Sequence, residues 1–146
     1  MTQINAQLFI EALHRLEEQQ DLDTISGLYT DGAEVSNPVV PHHHRGPPGA
    51  RDFWQGYRST FREIHSEFHN VLDDGKTAML EWTSSGRAND GREFSYRGVS
   101  VLEYGADGIR AFRAYFDPRY LGTQLPAPQA PQSGYPGTVL SAGFSS

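Results

Sequence analysis

Three consecutive histidines, His42, His43 and His44, stand inside the stretch "SNPVVPHHHRGPPGARDFW", residues 36 to 54. Imidazole titrates near neutral pH and binds metals, so this is the first place to look for chemistry. In an extended segment neighbouring side chains point to opposite sides, so His42 and His44 share a direction that His43 does not. A metal site needs more: the segment carries no carboxylate and the standard helical His spacings are missing, so no metal is expected. The segment reads as a solvated, pH-sensitive rim with one imidazole, His44, available to turn toward a site. His65 and His69 add nothing to this by sequence position alone. Asn37, just before Pro38, offers an amide that donates and accepts, but an Asn there also suits a strand-to-loop turn that needs it for its own backbone, and both readings stay open. Tyr96 offers a phenol donor, and Ser84 and Ser100 offer hydroxyls. Asp117, before Pro118, is either a cap or ion-pair partner of Arg113 or Arg119, or a base.

Elements must position these groups. Ala6, Phe9, Ile10, Leu13 and Leu16 recur at helical spacing and predict a helix over residues 4 to 19, with a buried stripe and a charged back. A short second helix follows, with Leu22, Ile25, Leu28 and Tyr29 on one face, Asp21 as its cap and Gly32 as its stop. "AEVSNPVV" reads as a strand closed at Asn37, because Pro38 withdraws an amide from any ladder. A third helix is expected from about Gly49 to Ile64, since Phe53, Trp54, Tyr57, Phe61 and Ile64 form one aromatic stripe. The period then changes to two. "SEFHNVL", "TAMLEWTSSGRA", "EFSYRGVSVLEY" and "IRAFRAYF", separated by "DDGK", "NDGR" and "GADG", predict a four-strand antiparallel meander. The expected fold class is α+β, with three N-terminal helices on one face of a curved antiparallel sheet. Residues 1 to 121 form that domain, and residues 122 to 146, rich in Pro, Gly, Ser and Gln, read as a C-terminal tail.

Composition narrows the function. The 146 residues carry a net charge of −6 without a basic cluster, which argues against a nucleic-acid partner. Cysteine is absent, removing disulfides and thiolate chemistry. The first twenty residues lack the pattern of a signal peptide and no run approaches a membrane span, so no membrane association and a cytoplasmic location are expected.

The order of elements, "EVSNPVV" before the third helix and "IRAFRAYFDPRYL" as the last strand, resembles the nuclear transport factor 2-like superfamily, in particular its SnoaL-like polyketide cyclase and ketosteroid isomerase-like branches. The resemblance covers roughly residues 5 to 121, with "AYFDP" its most specific piece. It implies a cone whose helices and concave sheet enclose an apolar pocket, and frequent homodimerisation through the outer sheet face. In the isomerases a proton-shuttling carboxylate precedes the proline at the end of the first strand; here that residue is Asn37. In epoxide hydrolases of the limonene type a catalytic aspartate stands where this chain has Ala114, and an Arg-x-Asp pair where it has Trp82 and Ser84. That hydrolase mechanism is rejected.

Strand parity assigns the rest. If Ala114 faces the pocket, so do Phe112 and Phe116, with Arg113, Tyr115 and Asp117 on the other face. By the same alignment Trp82, Ser84, Tyr96, Gly98 and Ser100 point inward, to meet Trp54 of the third helix. The expected ligand-binding set is Trp54, Trp82, Ser84, Tyr96, Phe112 and Phe116; the candidate catalytic set is Tyr96, Asn37, His44 and Asp117, with no metal and no cofactor. Tyr96 and Trp82 also fit plain core roles. Two functions stand level: an acid/base isomerase or cyclase acting on a small hydrophobic carbonyl, polyketide-like or steroid-like compound, and a non-catalytic binder of such a molecule. A protein-interaction module stands behind them.

Overall fold

A computed structural model describes residues 4 to 39 and 44 to 125. The expectations about His42, His43 and most of the C-terminal tail fall outside the described residues.

Helix α1 spans Ala6–Gln19, opened by the Asn5 side chain accepting from the Leu8 amide at 2.8 Å and closed by Gln20 in the left-handed region at φ 58°. Its apolar stripe is buried as expected, and Phe9 and Leu16 are almost fully enclosed. Burial of each such side chain stabilises the fold by about 1.5–3 kcal/mol. Helix α2, Leu22–Ser26, has the expected Asp21 cap but ends at Gly27, not Gly32. Tyr29 therefore opens strand β1, Tyr29–Ser36, instead of lying on the helix. The helix stops early because the Leu28 carbonyl is taken by the Ile109 amide at 2.8 Å. Gly108 permits that approach, since a Cβ there would stand 2.7 Å from the Leu28 oxygen.

A two-residue strand β2, His44–Arg45, pairs with β1 and leads directly into helix α3, Gly46–Ser59. The helix starts three residues earlier than expected because Pro47 and Pro48 occupy its first turn, where their missing amides cost nothing. It also ends sooner, so Phe61 and Ile64 belong to strand β3, Phe61–Asp73. A bulge between Phe61 and Glu63 places Phe61, Ile64 and Ser66 all inward, and its three-residue step imitates helical spacing. Strands β4, Thr77–Ala88, β5, Glu93–Gly105, and β6, Gly108–Phe116, complete the predicted meander.

The six strands run in the order β2-β1-β6-β5-β4-β3. All neighbours are antiparallel except β1 and β6, which pair in parallel, a departure from the all-antiparallel expectation. The helices lie on the concave face of this curved, open sheet, giving the α+β cone. Asp73 ties α1 to the far end of β3, accepting from the Ala6 amide at 2.9 Å and from the Tyr104 hydroxyl. After β6 a short helix α4, Pro118–Gly122, folds back, and Gln124 bonds the Ser95 backbone through both ends of its amide at 2.7 and 2.8 Å. Leu121 of this helix and Leu125 just after it are buried. No helix among the described residues is long and apolar enough to cross a membrane.

Candidate functional site

The buried side chains fall into two clusters, one under α1 and α3 and one between β3, β4, β5 and α4. Tyr57, Phe68 and Phe116 pack against both. Along this seam lies a cavity of about 40 Å³. At about 10–15 Å³ for one water, that is room for roughly three. A larger occupant requires movement, and Tyr57, Phe68 and Phe116 are lining residues with solvent on one side.

Each wall follows from local structure. α1 contributes Phe9 and Leu13, α3 contributes Phe53, Trp54 and Tyr57, and β6 contributes Phe112, Ala114 and Phe116 by alternation. β4 and β5 contribute Trp82, Ser84, Tyr96 and Ser100. The rings meet edge to face: Trp54 with Phe112 at 5.1 Å, Trp82 with Tyr96 at 5.3 Å, and Tyr96 with Phe116 at 5.3 Å. The indole N–H groups are satisfied, Trp54 donating to the Tyr29 hydroxyl at 3.0 Å and Trp82 to Ser100 Oγ at 2.9 Å. Burial holds the Tyr29 phenol far above its ordinary range, against the opposing pull of the Trp54 donor.

All six residues expected to bind a ligand border this cavity, as does Asn37. The Asn37 side-chain oxygen accepts from the Val39 amide at 2.9 Å, so the residue shapes the turn that the Asn-Pro pair suggested. His44 and Asp117 do not border it. The His44 ring lies edge-on to Phe53 at 5.9 Å, behind the cavity wall, and its Nδ1 is buried without a hydrogen-bond partner among the described residues. Asp117 is exposed and accepts from the Arg119 and Tyr120 amides at 2.9 and 3.4 Å. It caps α4 rather than the last strand, and Arg113 pairs with Glu103 at 2.6 Å instead. Asp117 is thus removed from the cavity by parity and by its capping bonds.

Sequence reasoning missed a buried carboxylate. Glu17 is 2 % exposed and accepts three bonds: from the Ser66 amide at 2.8 Å, from Ser66 Oγ at 2.6 Å and from the Tyr57 hydroxyl at 2.7 Å. Ser66 Oγ also meets Ser84 Oγ at 2.6 Å. Tyr57, Ser66 and Ser84 all border the cavity, whereas Glu17 stands one layer behind. Burial and the neighbouring Glu17 hold the Tyr57 phenol well above its ordinary range, so it remains a donor. A signal was present: Glu17 follows Leu13 by four residues and Ile10 by seven, which puts it on the apolar stripe rather than the charged back.

One further cluster brings metal-type ligands together. His14, Glu17 and His65 place ligand atoms within 4.8 Å of one another. His14 Nε2 is engaged with the Ser66 carbonyl at 2.8 Å, and the two imidazoles stack at 5.1 Å with an angle of 17°. Lone pairs lying in near-parallel ring planes do not converge on one ion, so the geometry is that of a stacked pair.

The comparisons with known proteins agree on the architecture. A family profile for the SnoaL-like domain matches residues 9–114. No curated protein matches the sequence. Among solved structures, TerC co-crystallised with polyporic acid is similar at 12% identity and a TM-score of 0.69, over 80% of this chain and 94% of that one. A protein with a ketosteroid isomerase-like fold from Catenulispora acidiphila, in complex with trimethylamine, is similar at 13% identity and 0.71, over 84% and 97%. An epoxide hydrolase of M. tuberculosis, described as LEH-like, is similar at 19% identity and 0.61, over 80% and 85%. At these identities the structures speak for the fold alone. With the profile spanning most of the helices and strands that build the cavity, the chain belongs to the SnoaL-like domain family, within the nuclear transport factor 2-like fold.

Proposed function

We propose that this domain binds a small, largely apolar molecule in the seam between its two core clusters. The observation that carries this reading is a cavity walled by aromatic rings from α1, α3 and four strands, whose polar groups are a few hydroxyls and the Asn37 amide. TerC and the Catenulispora protein, each crystallised with a small molecule and similar in fold, support this reading. Among the described residues no carboxylate, imidazole, ammonium or guanidinium borders the cavity. Acid/base turnover by an isomerase- or cyclase-like route therefore has less support than binding.

Titration of the purified protein with small hydrophobic ketones, followed by tryptophan fluorescence, tests the reading, because Trp54 and Trp82 both face the cavity. Saturable binding is expected. Tyr96→Phe is expected to weaken it by about 0.5–1.5 kcal/mol, the range for one neutral hydrogen bond, with little change in melting temperature. Equal affinities across the panel would retire Tyr96 as a site residue, and no saturable change with any compound would overturn the reading.

The partner proposed beside the ligand is a second copy of the chain. Leu72, Met79, Val99 and Tyr115 are 71%, 49%, 37% and 55% exposed on the outer sheet face, and Leu72 with Met79 and Val99 with Tyr115 are cross-strand neighbours. Light scattering at micromolar concentration is expected to return twice the chain mass; a strict monomer would sink the proposal.

A further inference from the structure

Building on that reading, we infer that the Glu17 wall of the cavity selects a ligand with a hydroxyl hydrogen, a phenol or enol, over one with only a carbonyl. The argument is one of hydrogen-bond direction. Ser66 has a single hydroxyl hydrogen, and it is given to Glu17 at 2.6 Å. In the Ser66 to Ser84 bond, 2.6 Å long, Ser84 must therefore be the donor. Tyr57 likewise spends its hydrogen on Glu17 at 2.7 Å. The Ser66 amide, a donor that cannot be reversed, fixes the other carboxylate oxygen at 2.8 Å.

Every hydrogen in the network thus points toward Glu17, and the oxygens of Ser84 and Tyr57 keep only lone pairs for the cavity. An occupant's hydroxyl finds an acceptor there. An occupant's carbonyl finds only lone pairs on this wall, and a donor for it has to come from elsewhere in the lining, such as Tyr96. A ligand anion is disfavoured further, because it would add a second negative charge beside a buried carboxylate. Glu17 touches no occupant and acts by positioning the hydroxyls that do.

Replacing Glu17 by glutamine reverses the polarity. The amide oxygen can keep the Ser66 N–H, leaving the amide NH₂ where a carboxylate oxygen stood, as a donor to Ser66 Oγ and Tyr57. The Ser66 hydrogen then turns to Ser84, and the Ser84 hydrogen turns into the cavity.

The test uses three single-ring probes: p-cresol, which donates; p-xylene, its near-isostere with neither function; and acetophenone, which only accepts. Isothermal titration of the full chain is expected to give p-cresol a roughly tenfold advantage over p-xylene, as one hydrogen bond in place of an unmade one implies. Ser84→Ala should lower the p-cresol to p-xylene ratio, leaving Tyr57 as the remaining acceptor; because the ratio is the readout, a change in cavity size common to both probes cancels. Glu17→Gln should shift the p-cresol to acetophenone ratio by about tenfold toward acetophenone. Equal p-cresol and p-xylene affinities in the wild type, or a ratio that neither variant moves, would overturn the inference while leaving the cavity as a binding site. Binding of none of the three would overturn the binding reading itself, and this inference with it. Should Glu17→Gln fail to fold, the Ser84→Ala comparison alone decides, since the expected fall in the p-cresol to p-xylene ratio either occurs or does not.

Discussion

Glu17→Ala is expected to lower the unfolding free energy by about 2–4 kcal/mol, because it leaves buried donors without their acceptor. The Ser66 amide is held by the β3–β4 ladder and cannot turn to another partner. The Tyr57 and Ser66 hydroxyls can rotate, but both face a small, mostly aromatic cavity with few other acceptors. Relief of the carboxylate's own desolvation offsets part of the loss and does not cancel it, since a lone buried partner costs more than the pair. Glu17→Gln, which keeps an acceptor for the amide, should lose less. Urea denaturation of the three proteins checks this, and an alanine variant as stable as the wild type would show that the network is replaced by water.

Gly98→Ala is expected to cost about 2–3 kcal/mol, the upper part of the range for overpacking a closed core. A Cβ at position 98 would stand 2.4 Å from the Tyr115 carbonyl oxygen and 2.7 and 2.9 Å from the Trp82 ring. The first atom is backbone in the neighbouring strand, so relief has to come from the β5–β6 ladder or from Trp82. Displacing that indole strains its bond to Ser100 and fills the cavity, so ligand affinity should fall along with stability. Gly32→Ala is the control: nothing lies within 4 Å of a Cβ there, and it should be neutral within about 0.5 kcal/mol. Matching melting curves for the two variants would refute the packing argument.

The helical stripe of α1, the Asp21 cap, the meander and its Asp-Gly turns were legible in the sequence because they depend on neighbours a few residues away. Parity along a strand is equally local, and it was enough to bring Trp82, Ser84, Tyr96, Ser100, Phe112 and Phe116 to one wall. The boundary errors share a cause, which is long-range pairing. Tyr29 left the second helix because β6 claims the Leu28 carbonyl, and Phe61 and Ile64 left the third because a bulge spaced them like a helix.

What the sequence by itself determined was the fold class, the family resemblance and an aromatic wall, all written in local periodicity and turn chemistry. Only the tertiary structure decided the site's polar character. Glu17 and Ser66 are 49 residues apart; helical spacing places Glu17 on the buried stripe, but nothing near either residue predicts the three donors that meet its carboxylate. Asp117 and His44, with the right chemistry by type, were set aside by where the chain turns: one caps α4 in solvent, the other packs behind Phe53. A side chain's intrinsic chemistry is local, but its burial and partners come from segments folded against it. Those segments made a glutamate on the apolar stripe of a helix the organising charge of the cavity wall.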